Sequence, residues 1–256
     1  MTPTVVALPG TLCTPRLFRP LAHRMANRAP MAAYAWMDGT GPWDIPAVAD
    51  RLLARVRRRA AGPVVLAGHS TGGAIALQAA IRAAGDGTVA GLLIINSGAN
   101  TAGHGDIGSL IEAFRTEPAR ARRTVIGPRS FAQPPPTANP VQALRAAVVR
   151  RPGPLTRLRM AAYARRVPAE AVIDVLTSQR DLDLAPRLPA ITCPVTVLHG
   201  TLDTARTPVH ARAIADGVRD GEVRWVRTGH TPPAEDPHAT ADALISLLAR
   251  LPAATR

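Results

Sequence analysis

A short apolar run that turns straight into a helical pattern is the feature that most restricts what this chain can fold into. PVVLAG (63–68) is followed after two residues by TGGAIALQAAIRAA (71–84). Comparable runs recur as TVVALPG (4–10), MAAYAWMDG (31–39), VAGLLIIN (89–96), PVTVLHG (194–200) and EVRWVRT (222–228). They are largely continuous rather than alternating, as expected of parallel strands buried on both faces. Helical patterns lie between them: RLFRPLAHRMA, weakened by Pro20, then DIPAVADRLLARVRRR, TPVHARAIADGV and HATADALISLLARL. In the second of these, Ile45, Val48, Leu52 and Val56 share a stripe, Asp44 stands as the N-cap, and Pro46 falls in the first turn. The chain therefore reads as an α/β protein, with about six mostly parallel strands flanked by helices.

The alternation stops once. From about Ser97 to Leu188 no strand is expected. Helical stretches DIGSLIEAFR, NPVQALRAAVVR, PLTRLRMAAYARR and PAEAVIDVLTSQ are separated by QPPPTANP and RPGP. The expected organisation is an α/β core made of 1–96 and 189–256, with 97–188 as a helical cap inserted between its halves.

The 256 residues are enough to bury one large core. The net charge is +13, and all 31 basic residues are arginine. A compositional bias towards alanine, arginine and proline accounts for this charge without any function. The functional readings are an acidic partner such as an acyl carrier protein, an anionic substrate, or nucleic acid. Nucleic acid is disfavoured, because aromatics are only 3% and the arginines are spread along the chain. The arginines of RLLARVRRRAAGP complement the negative end of a helix. Cys13 and Cys193 form no metal-ligand spacing and are expected as free thiols. No run has the roughly 20 apolar residues of a membrane helix, and the N-terminus lacks a leader pattern. The expectation is a soluble, cytoplasmic protein with no membrane partner, no cofactor and no metal.

Gly68-His69-Ser70-Thr71-Gly72 occupies the corner between the third strand and its helix. A G-x-S-x-G at a strand–helix turn holds the serine in a strained, exposed conformation, and a Cβ at either glycine would crowd the close approach of strand and helix. The helix behind it points N–H groups at the serine. Serine is a weak nucleophile until a base takes its proton. His69 is adjacent and should point away, packing under the turn. His23, His210 and His238 fall in or beside surface helices, His104 in the insertion, and His199 at a strand end. His230, in RTGHTPPAED, directly follows the last strand, at the carboxyl edge where α/β sheets gather ligands. Asp203, in LHGTLDT, also follows a strand, and it can orient that histidine. The loop after the fourth strand has no carboxylate before Asp106. Two backbone N–H donors complete such a site. Thr71 follows the serine, and Thr11 in LPGTLC is the expected second, with Leu12 as its alternative.

LPGTLCTPRLF, GHSTGG, QRDLDLAPRLPAITCPVTVLHG, PVTVLHGTLD and GHTPPAEDP together resemble the α/β-hydrolase superfamily over nearly the whole chain. Within it they are most similar to small capped esterases, thioesterases and C–C hydrolases. The resemblance implies Ser70 as nucleophile, His230 as base, Asp203 as acid, and Thr11 and Thr71 as oxyanion donors. It also implies that the two leading antiparallel strands of the full fold are absent. Pro9 stands where relatives often have histidine, and Trp43 where a serine is frequent. A serine at position 70 argues against haloalkane dehalogenases and epoxide hydrolases, which use aspartate there.

Two readings remain open. One is a serine hydrolase that cleaves an ester, lactone or acyl thioester, its acyl substrate free or bound to a carrier protein or coenzyme A. The other is a non-hydrolytic lyase, cyclase or binding protein on the same fold. Leu12, Phe114, Met160 and Tyr163 are candidate pocket residues, although apolar cap residues such as Leu110, Ile111, Phe114, Leu155, Met160 and Tyr163 equally suit a cap core.

Overall fold

The computed structural model describes residues 2–102, 106–126 and 154–252. Six strands form one sheet: β1 (Thr4–Leu8), β2 (Met31–Ala33), β3 (Val64–His69), β4 (Val89–Ile95), β5 (Val195–Gly200) and β6 (Gly221–Val226). Their order is β2-β1-β3-β4-β5-β6, and every neighbouring pair is parallel. Among the described residues the α-helices are α1 (Arg19–Met25), α2 (Ile45–Arg59), α3 (Thr71–Arg82), α4 (Ile107–Thr116), α5 (Pro118–Ile126), α6 (Pro154–Ala164), α7 (Ala169–Asp181), α8 (Pro208–Gly217), α9 (Pro232–Glu235) and α10 (Pro237–Arg250).

The continuous apolar strands are explained by a core on each face. Leu8, Val64, Leu66, Leu92, Ile94, Val195 and Val197 belong to one, which includes residues of α2, α3 and α8. Val5, Ala7, Val65, Ala67, Leu93, Ile95 and Leu198 belong to the other, with residues of α1 and α10. Successive residues alternate between the cores, so no position of β3 faces water. α2 begins where the sequence places it, since the Asp44 carboxylate accepts the Ala47 N–H at 2.9 Å. Its apolar stripe is buried, and Arg57, Arg58 and Arg59 occupy its last turn.

The structure differs from the sequence reading in several places. RLFRPLAHRMA splits into a 3₁₀ turn (Pro15–Phe18) and α1, because Pro20 fits a first helical turn but not a helix interior. MAAYAWMDG supplies only a three-residue edge strand. Beyond Ala33 the chain leaves the sheet and buries Trp36 and Met37. α5 has no counterpart in the expected helices. Its arginine-rich sequence has few large apolar residues, and Pro118 at its start is the main signal. The expected helix NPVQALRAAVVR, the break QPPPTANP and His104 lie outside the described residues. Among those described, α4 to α7 are the helices between β4 and β5. None of the described helices is long and apolar enough to cross a membrane.

Candidate active site

Five strand ends converge at the carboxyl edge of the sheet. β3 delivers Ser70, which adopts φ 52° and ψ −123°. A non-glycine residue there costs on the order of 1–3 kcal/mol and persists only when its surroundings fix it. Here the Ser70 N–H donates to the Ile95 carbonyl at 2.9 Å, while the Ser70 carbonyl accepts from the Gly73 N–H at 2.8 Å and the Ser97 hydroxyl at 2.7 Å. A Cβ on Gly72 would lie 2.2 Å from the Leu8 carbonyl oxygen, and one on Gly68 would lie 2.4 Å from the Gly72 oxygen. Both glycines are there for close packing, as the motif implied.

The Ser70 hydroxyl lies 3.1 Å from His230 Nε2, and His230 Nδ1 lies 2.8 Å from Asp203 Oδ2. The Asp203 side chain is fully buried, whereas a quarter of the His230 side chain is exposed. Burial opposes ionisation of Asp203, but the facing imidazole and the backbone N–H groups of Ala205 and Arg206 outweigh it, holding the carboxyl below its ordinary range. Such a row lets a hydroxyl pass its proton to an oriented imidazole.

The loop after β1 brings Thr11 beside Thr71, with their hydroxyls 2.8 Å apart. Among the described residues neither backbone N–H has a hydrogen-bond partner. The alternative donor, Leu12, is differently placed. It is buried at φ 60°, and its N–H faces the Met37 sulfur at 3.4 Å. Trp36 Nε1–H donates to the Pro9 carbonyl at 2.8 Å. The segment read as a longer second strand thus braces this loop.

His69 lies under the turn, as expected. Its Nε2 is 2.7 Å from the His230 carbonyl. A carbonyl only accepts, so Nε2–H is the donor. Burial, then the neighbouring His230, pushes its pKa down to about 3.

Three further residues position the same loops and carried no motif. Asn96, buried at φ 44°, donates to the Gly229 carbonyl at 2.8 Å and accepts the Gly200 N–H at 2.7 Å. It ties the end of β4 to the loops carrying Asp203 and His230. Ser97 holds the Ser70 carbonyl. Glu235 is buried in α9 and accepts from the Gly229 N–H at 2.7 Å, the Thr231 N–H at 2.8 Å and the Thr231 hydroxyl at 2.6 Å. It therefore clamps both sides of His230. The available signal was the carboxylate of PPAED five residues after that histidine. Glu235→Ala is expected to cost about 3 kcal/mol of stability in denaturant melts, from stranded buried donors. It should also lower kcat more than it raises KM.

A cavity of about 210 Å³ opens over Ser70 and His230. Its apolar wall includes Ile107, Leu110, Phe114, Met160, Val172 and Leu176. Leu12, Phe114 and Met160 thus line it, and Phe114 and Met160 are at the same time packed in the apolar cores. Tyr163 is not part of the lining. It packs half-buried against the core, where burial and then the Asp38 carboxylate beside its phenol raise its pKa. Leu155 is exposed. Gln179 was not singled out by the sequence, yet from α7 it lines the cavity and accepts the Thr71 hydroxyl at 3.0 Å. Among the described residues no group of three or more His, Cys, Asp and Glu could hold a metal ion.

The family model described as the alpha/beta hydrolase family matches residues 5–243. No curated protein matches the sequence. Among solved structures, the enol-lactonase from Burkholderia xenovorans LB400 has a TM-score of 0.77 at 17% identity, with 97% of this chain and 92% of that one covered. A thermophilic esterase from Thermogutta terrifontis has a TM-score of 0.69 at 21% identity, with 96% and 89% covered. A bromoperoxidase from Bacillus anthracis has a TM-score of 0.77 at 14% identity, with 97% and 92% covered. These likenesses are of fold, while the family match spans the strand ends that carry Ser70, Asp203 and His230: the chain belongs to the alpha/beta hydrolase family.

Proposed function

We propose that the protein is a serine hydrolase that cleaves a carboxylic ester, lactone or acyl thioester through an acyl-enzyme on Ser70. The reading rests on the unbroken row from Ser70 Oγ to His230 (3.1 Å) to Asp203 (2.8 Å). Ser70 Oγ attacks the acyl carbon as its proton passes to His230 Nε2. Asp203 holds Nδ1–H and stabilises the imidazolium. The N–H groups of Thr11 and Thr71 receive the oxyanion. Collapse expels the alcohol or thiol, which takes the proton from His230. Water then repeats the sequence, releasing the acid and restoring Ser70. Helices α4 to α7, within 97–188, act as a cap whose apolar side chains meet the acyl chain. An esterase and an enol-lactonase among the similar folds are compatible with this reading.

The test is a fluorophosphonate probe followed by intact mass, then a panel of p-nitrophenyl esters and acyl thioesters. One probe adduct on Ser70, with turnover of at least one substrate class, supports hydrolysis. Absence of both would favour the lyase, cyclase or binding reading. Substitutions at Phe114 and Met160 should change the preference among acyl chain lengths by about 1–3 kcal/mol in kcat/KM, the range for altered apolar pocket contacts. Tyr163→Phe should leave that ranking unchanged in the same assay.

A further inference from the structure

A second cavity, of about 440 Å³, lies between α1, α6 and the start of α10, and among the described residues its lining contains no acidic one. Arg16, Arg19, Arg24 and Arg159 line it, together with His23 and the hydroxyl residues Thr14 and Thr156. The clustering follows from helical spacing. Arg16, Arg19 and His23 recur at three- and four-residue intervals along one face of the 3₁₀ turn and α1, and Thr156 and Arg159 are three apart on α6. Among the described residues none of the four arginines makes an ion pair with a carboxylate. Arg24 instead donates to the ring of His238. Guanidinium groups brought together without counter-charges repel one another, and their forked donors match phosphate oxygens.

The position of this cavity narrows its ligand. Cys13 lines the cavity over Ser70, and Thr14, the next residue, lines the cationic one. Met160 and Arg159 are divided in the same way on α6. A molecule with an acyl group at one end and phosphate at the other meets an apolar cavity with a serine, then an arginine cavity next to it. We propose that the cationic cavity binds the phosphates of an acyl-coenzyme A type thioester whose acyl group enters the cavity over Ser70. This deepens the hydrolase reading and rests on it for the chemistry, but not for the binding.

The two are separated experimentally as follows. Ser70→Ala protein is titrated calorimetrically with inorganic pyrophosphate at low ionic strength. Saturable binding, reduced at least about tenfold by Arg16→Gln/Arg159→Gln and weakened near 0.5 M salt, supports the site. No binding, or equal binding by the double variant, overturns it. In the second arm, the otherwise wild-type enzyme hydrolyses butanoyl-coenzyme A, the phosphate-free butanoyl N-acetylcysteamine thioester and p-nitrophenyl butanoate. The expected result is a kcat/KM at least about tenfold higher for the coenzyme A thioester than for the phosphate-free one. The double variant should lose that preference and keep its p-nitrophenyl ester rate. Equal rates on the two thioesters, with the ester still cleaved, overturn the phosphate role and leave the hydrolase reading standing. No turnover of any substrate, with pyrophosphate still bound, overturns the hydrolase reading and the assignment to an acyl thioester together.

Discussion

Replacing Ser70 with alanine is expected to abolish fluorophosphonate labelling and to lower turnover by several orders of magnitude without unfolding the protein. Groups that act as one unit lose nearly all their contribution when one is removed. The fold should survive because the contacts fixing position 70 are from its backbone, to Ile95, Gly73 and Ser97. Alanine retains the same Cβ, so the 52° φ angle is no more strained than before. His230→Gln should give a comparable loss, and Asp203→Asn a smaller one, since the nucleophile and base remain but the imidazole loses its orienting charge. The measurement is burst and steady-state kinetics on a p-nitrophenyl ester, beside circular dichroism. A Ser70→Ala protein that keeps most of its turnover would remove Ser70 from the chemistry.

What the sequence reveals here is set by the range over which each constraint acts. β3 and α3 are legible because a run of apolar residues and the Gly68–Gly72 frame are local. The row Ser70, Asp203 and His230 is legible because each residue follows a strand end, and parallel strands bring those ends to one edge. Asn96 and Ser97 are not legible. Their partners lie on other loops, and nothing in IINSGAN distinguishes a bracing amide from an ordinary turn residue. Trp36 and Met37 read as strand because they are apolar, although they leave the sheet to hold the loop that carries Thr11. Tyr163 shares helix α6 with Met160, and three residues of spacing left open which of them meets the cavity. Only the rotation of α6 against the core separates them. Gln179 is one polar residue in a helix whose depth the sequence does not record.

His69 is expected to make the protein markedly acid-sensitive, and His69→Gln to relieve much of that sensitivity. The imidazole is fully buried and donates to the His230 carbonyl, and its pKa is pushed down to about 3. In the unfolded chain it titrates as an ordinary histidine, near ~6.5. Between these values the unfolded state binds a proton that the native state does not, so unfolding becomes easier as pH falls. The stabilisation is complete above about pH 6.5 and drains away down to about pH 3, by an amount on the order of 5 kcal/mol over the whole interval. His199 and His210, both pushed down chiefly by burial, act with the same sign. Asp203, held below its ordinary range, acts with the same sign at lower pH, losing its own contribution as pH falls from the ordinary carboxylate range through that lower value. Glutamine at 69 places an amide N–H where Nε2–H donates and carries no proton to gain. Urea unfolding of the two proteins between pH 7 and pH 4 should therefore give a shallower fall in stability for His69→Gln, even if that variant starts lower at pH 7. Parallel curves would show that His69 is not kept neutral by its burial under the turn.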